Sequence, residues 1–174
     1  MPEVADWLRE LPCAARFIFQ GGPEARAAAG RAFGVALPET ACRASAAAER
    51  SALWLGPEEH LLLAPAEDVS RIQAELSTAL AGIAHSLVEV SHRQLAYAVT
   101  GPDARDVLAS GCPLDLDPDV FPVDMCTRTL FSKSEIVLWR RSAEEYHLEV
   151  ARSFSAYVLG WMREALTLVD AALD

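Results

Sequence analysis

The chain is poor in basic residues and in the short signatures that announce catalytic chemistry. Fifteen Lys and Arg face 25 Asp and Glu across 174 residues, a formal net charge of −10. A nucleic-acid binder needs a basic surface to displace condensed counterions, so this balance argues against one. No Cys-x-x-Cys pair joins any of Cys13, Cys42, Cys112 and Cys126. Reduced thiols in a cytoplasmic compartment are therefore the expectation. The opening residues Met1 to Asp6 carry acid where a secretory signal carries base, and no apolar core follows them. Apolar runs such as Leu61-Leu62-Leu63-Ala64 stop far short of the roughly 20 residues that span a bilayer. These absences predict a protein that is neither secreted nor held in a membrane.

The catalytic signatures are missing as well. No Gly-x-Gly-x-x-Gly, Gly-Lys-Ser, His-Glu-x-x-His or Gly-x-Ser-x-Gly occurs. Gly21-Gly22 sits between a strand-like and a helix-like segment, where backbone N–H groups can receive an anion. Glu24 brings negative charge to the same helix end, so a tight turn is the expected use. The histidines His60, His85, His92 and His147 form no metal-binding pair, and His60 and His147 are expected at half-exposed strand edges. Ser91-His92-Arg93 brings a hydroxyl, an imidazole and a guanidinium together in sequence. Neighbours in an extended chain point to opposite faces, so a hydrogen-bonded strand end is expected rather than a dyad.

What the sequence does carry is a pattern used twice. Arg16-Phe17-Ile18-Phe19-Gln20 runs into Gly22-Pro23-Glu24-Ala25-Arg26, and Leu95-Ala96-Tyr97-Ala98-Val99 runs into Gly101-Pro102-Asp103-Ala104-Arg105, with the glycines 79 residues apart. Each block reads as a strand, a glycine turn and a helix with proline in its first turn, where a missing N–H costs nothing. Leu53-Trp54-Leu55 before Glu58-Glu59, and Ile136 to Trp139 before Glu144-Glu145, read as hairpins; here the offset is 86. The seven-residue drift places an insertion around Cys112 to Pro122. A helix follows each hairpin. Ile72, Leu76, Ala79 and Leu80 mark the first, and Tyr157, Val158, Trp161, Met162, Ala165 and Leu166 the second. Trp139 and Trp161 fall on apolar faces, where core packing is the leading account; tryptophan is also enriched at interfaces, so a binding surface is the alternative. A strand around Ser86 to Val90 links the halves, while Ala41–Ala52 reads as either a loop or a short helix. The fold class is thus α+β: one compact domain, 1–174, of two strand–helix–strand–strand–helix halves, about 14–82 and 86–170, with approximate two-fold symmetry.

Several motifs in order carry a family resemblance. They are Val90-Ser91-His92-Arg93-Gln94, Gly101 to Leu108, Gly111-Cys112-Pro113-Leu114-Asp115-Leu116, Cys126-Thr127-Arg128-Thr129, Ile136 to Trp139 and Val150 to Val158. In this the chain resembles the gamma subunit of heterotetrameric sarcosine oxidase, most densely from Val90 onward. The resemblance implies a non-catalytic accessory subunit of a complex that oxidatively demethylates sarcosine to glycine. It implies partners too: a beta subunit with the flavins FAD and FMN, an alpha subunit binding NAD and using tetrahydrofolate, and a delta subunit binding zinc. It implies no cofactor, metal or catalytic residue in this chain, and a fold similar to the folate-binding region of aminomethyltransferases. A folate-binding or one-carbon-transfer protein is the alternative that this fold likeness raises, and a self-assembling scaffold is a third.

Read physically, Gly111-Cys112-Pro113 should end a helix, with Gly111 in a left-handed cap. Cys112 and Cys126 are expected as small buried thiols. Arg93, Arg128 and Arg152, with Ser91 and His92, form the expected interface or structural set, since a guanidinium serves internal pairing and partner contact equally.

Overall fold

The computed structural model describes residues 7–173. In chain order the elements are β1 (Leu8–Glu10), β2 (Ala14–Gly21), α1 (Pro23–Phe33), β3 (Ala44–Ala47), β4 (Arg50–Gly56), β5 (Glu59–Pro65), α2 (Val69–Ala79) and β6 (His85–Glu89). There follow β7 (Gln94–Thr100), α3 (Ala104–Ala109), β8 (Cys126–Phe131), β9 (Ser134–Ser142), β10 (Glu145–Ala151) and α4 (Ser155–Leu173). A single 3₁₀ turn leads into α2 (Ala66–Asp68) and another into α4 (Arg152–Phe154). The class is α+β, as the repeated pattern predicts.

Two compact units result, one of residues 13–92 and the other of residues 1–12 and 93–174. Each holds a five-stranded antiparallel sheet, ordered β3-β4-β5-β2-β6 in the first and β8-β9-β10-β7-β1 in the second. The first unit's core sets Phe17, Phe19 and Leu62 against Ala28, Phe33, Ile72 and Leu76 of its helices. The second sets Tyr97, Val99, Leu138, Leu148 and Val150 against Val107, Leu108, Val158 and Met162. β5 and β10 each lie between two other strands, and Leu61, Leu62, Leu63 and Ala64 are all buried, so side chains on both faces of β5 are covered.

The structure departs from the sequence reading in several places. Three strands, not two, separate the helices of each half. β3 lies in the undecided stretch, where Ala and Ser have little strand preference, and β8 alternates Thr127 and Thr129 with outward residues. β6 is the edge strand of the first sheet, paired with β2. Pro23 is in the first turn of α1, but Pro102 lies before α3: the N–H of Ala104 donates to the Gly101 carbonyl at 3.2 Å, so Pro102 and Asp103 form a tight turn ahead of the helix. Gly111 is no left-handed cap; that conformation belongs to Gly34 after α1, with φ 77°. A Cβ on Gly111 would lie 2.8–3.0 Å from three atoms of the Phe131 ring, so glycine is needed there for close approach.

His60 and His147 are both buried, because both stand on inner strands and not at edges. His60 Nε2 bonds the Pro38 carbonyl at 2.8 Å, and His147 Nε2 bonds Glu149 at 2.8 Å. The residues between α3 and β8 carry the expected insertion. Buried Arg140 fastens it, donating to the Phe121 carbonyl at 2.8 Å and, around the β9–β10 turn, to those of Ser142 and Ala143 at 3.2 and 2.9 Å.

Candidate functional site

Helix α4 follows directly from the 3₁₀ turn and packs Val158, Met162 and Ala165 into the second unit's core. Its apolar residues come in adjacent pairs, 157–158 and 161–162, and neighbours on a helix differ by about 100°. One sheet covers only part of so wide an arc. Tyr157 and Trp161 are consequently 39% and 40% exposed, so the core packing expected of Trp161 does not hold. Phe154, at 48%, extends the row with spacing i, i+3, i+7.

The row is held in place from the β8–β9 hairpin. The Tyr157 and Ser132 hydroxyls are 2.7 Å apart, and Trp161 meets the buried Phe131 ring edge-on with centroids 6.5 Å apart. Tyr157 and Trp161 lie 6.3 Å apart. Next to Ser132 in the turn is exposed Lys133, the single lysine of the chain, and half-exposed Leu130 ends the neighbouring strand. Aromatic side chains fixed in this way lose little entropy on binding and are enriched in the contacts that dominate protein interfaces.

The polar residues singled out by the sequence are spread out and mostly committed. The Ser91 hydroxyl oxygen accepts the Arg16 N–H at 2.9 Å, and the Ser91 N–H donates to Glu89 at 2.7 Å. Hydrogen bonds from the Ser91 hydroxyl and N–H hold the Glu89 carboxyl below its usual range. Ser91 thus closes the turn after β6. His92 and Arg93 are exposed beyond it. The Arg93 carbonyl accepts the Arg152 N–H at 3.0 Å, which brings these two residues together at the start of α4. Arg128 stands apart on edge strand β8, paired with Glu135 at 3.7 Å; three strand spacings, about 14 Å, separate β8 from β7. All four cysteines are free thiols, with Cys112 and Cys126 buried. Trp139 is buried, as expected. Among the described residues no three His, Cys, Asp or Glu side chains converge to hold a metal, and no helix is long and apolar enough to cross a membrane.

A second feature lies in the first unit, where a cleft of about 420 Å³ opens beside the last turns of α1. Arg26, Gly30, Arg31 and Gly34 form one wall, and Ala36, Leu37 and Glu39 the other. Arg26 and Glu39 are 3.0 Å apart across it. No sequence motif marks this group, since it joins one helix face to the irregular segment after it.

Comparison with known proteins agrees with the resemblance. Residues 20–167 match the family described as sarcosine oxidase, gamma subunit. The sarcosine oxidase subunit gamma of Arthrobacter sp. is 32% identical over 147 residues, covering 84% of this chain and 71% of that protein. A chain of the heterotetrameric sarcosine oxidase of Corynebacterium sp. U-96, solved in complex with pyrrole 2-carboxylate, superposes with a TM-score of 0.86 at 27% identity. The match covers 92% of this chain and 83% of that one. The glycine cleavage system aminomethyltransferase T of Bartonella henselae shares the fold, with a TM-score of 0.69 at 14% identity over 89% of this chain and 44% of that one.

Proposed function

As the chain belongs to the sarcosine oxidase gamma subunit family, we propose that it is a non-catalytic accessory subunit of a heterotetrameric sarcosine oxidase, working in the cytoplasm. The observation that carries this reading is the agreement of sequence and fold, over most of both chains, with a chain of such a complex. On this reading the alpha, beta and delta subunits hold FAD, FMN, NAD, zinc and tetrahydrofolate, and the oxidative demethylation of sarcosine takes place on them. The one-carbon-transfer alternative rests on a likeness of fold alone, which is a weak warrant for activity.

The exposed row Phe154, Tyr157 and Trp161 is where an apolar groove on a neighbouring subunit packs. Lys133 makes this testable with the full complex. An amine-reactive crosslinker should join Lys133 to a flavin-bearing partner recovered with the tagged chain. Trp161→Ala should weaken that recovery by about tenfold or more, the scale of an interface hot spot, while the variant keeps a native circular dichroism spectrum. Recovery of a colourless chain from cells that oxidise sarcosine would overturn the subunit reading. Recovery of the full complex with the Trp161 variant, at unchanged affinity, would overturn only the placement of the interface.

A further inference from the structure

We propose that the cleft beside the last turns of α1 binds a small oxyanion, a carboxylate or phosphate group on a compact molecule, with Arg26 and Arg31 as its partners and Glu39 as the internal carboxylate that it displaces. The accessory-subunit reading neither requires this site nor uses its residues.

On a chain of net charge −10, two guanidiniums line the cleft and one carboxylate answers them. The Arg26 side chain is only 14% exposed, whereas Glu39 is 79% exposed. A carboxylate so open to water is screened and pays rotamer entropy to stay in place, so its grip on Arg26 is weak. Arg26 therefore offers a preformed, largely desolvated fork, and planar forks take carboxylate or phosphate through two parallel N–H···O bonds.

A helix C-terminus repels anions through its unsatisfied carbonyls. Here two of those carbonyls are already taken. The Gly34 N–H donates to Gly30 at 3.0 Å, and Arg50 donates to Phe33 at 2.7 Å. The opposite wall is equally settled, because buried His60 holds the Pro38 carbonyl next to Glu39. The volume of about 420 Å³ falls in the lower part of the range usual for small-molecule sites. Its remaining lining is small and apolar (Ala27, Ala36 and Leu37), which suits a ligand with a short hydrocarbon part.

The test is calorimetric titration of the full chain at low ionic strength, with inorganic phosphate in one arm and acetate in the other. Saturable binding in either arm is expected, and the arm that saturates identifies the oxyanion. Arg26→Gln and Arg31→Gln should each weaken it by about tenfold or more, as loss of a charge-assisted contact does. Arg31 is exposed, so its variant remains informative if the Arg26 variant fails to fold. Glu39→Gln should tighten binding about two- to fivefold, the worth of an exposed ion pair, whereas Glu24→Gln makes the same charge change at the other end of α1 and should not. The proposal is overturned if neither anion saturates even the Glu39→Gln variant. It is overturned equally if both arginine variants bind as before, or if Glu24→Gln tightens binding as much as Glu39→Gln.

Discussion

Single residues here show how burial on a central strand changes what a side chain does. His60 stands on β5 between β4 and β2, with Phe19 opposite it in register and Pro38 capping Nε2. Burial lowers its pKa below the usual imidazole value; the Pro38 hydrogen bond opposes this, nearby Arg26 adds to the depression and Glu59 works against it. Above about pH 6.5 the ring is neutral in folded and unfolded chains alike. Below that pH the unfolded chain takes up a proton that the folded chain resists, so stability falls on acidification. His60→Gln keeps a donor in place but removes this titration. In urea denaturation it should cost about 1 kcal/mol at neutral pH, with a gap to the parent that narrows toward pH 5. Parallel stability curves across that interval would show that His60 does not titrate with unfolding.

At the scale of elements, the packing of α4 against the β8–β9 hairpin passes through one residue without a side chain. Phe131 is fully buried, with Trp161 against its edge and Gly111 against its ring. Gly111→Ala inserts a methyl where three ring carbons already lie within 3.0 Å, so the fully buried Phe131 ring has to shift. Overpacking of this kind should cost about 1–3 kcal/mol and alter near-ultraviolet circular dichroism as the aromatic group shifts. An unchanged denaturation midpoint would mean that the contact is looser than the structure shows.

The same elements show what was legible in the sequence. The paired Gly-Pro blocks and Glu-Glu turns located β2, α1, β4, β5 and their later counterparts, because periodicity and turn chemistry are local signals. The exposed aromatic row was not legible. Tyr157 and Trp161 obey the same helical spacing as Val158 and Met162, and only the limited width of the sheet beneath α4 separates the exposed pair from the buried one. Nor was the cleft, since Arg26 and Glu39 meet only through the turn that Gly34 permits.

The whole molecule is organised by an exchange that local patterns cannot show. A leading strand stands before each repeated block, β1 before β2 and β6 before β7. Each leading strand pairs not with the strand that follows it in the chain but with the first strand of the other repeated block, β1 with β7 and β6 with β2. Three residues, Leu8-Arg9-Glu10, are too few to carry a period, and so β1 fell outside both halves as read from the sequence. The second unit therefore depends on a strand more than 80 positions away from its partner: Leu8 lies opposite Val99, the Thr100 N–H donates to the Trp7 carbonyl at 2.7 Å, and the Leu11 N–H donates to that of Ala96 at 2.8 Å. Leu8 is buried in that unit's core and Trp7 packs against it, contacts worth about 2–5 kcal/mol by area. Removal of the first twelve residues should accordingly weaken the distant unit and spare the adjacent one. Hydrogen exchange would show it: the Thr100 amide should lose protection, while the Val90 amide, bonded to the Arg16 carbonyl at 2.8 Å, should keep it. Equal loss at Thr100 and Val90 would mean that the two units unfold as one, and unchanged protection at Thr100 would mean that β7 stands without β1.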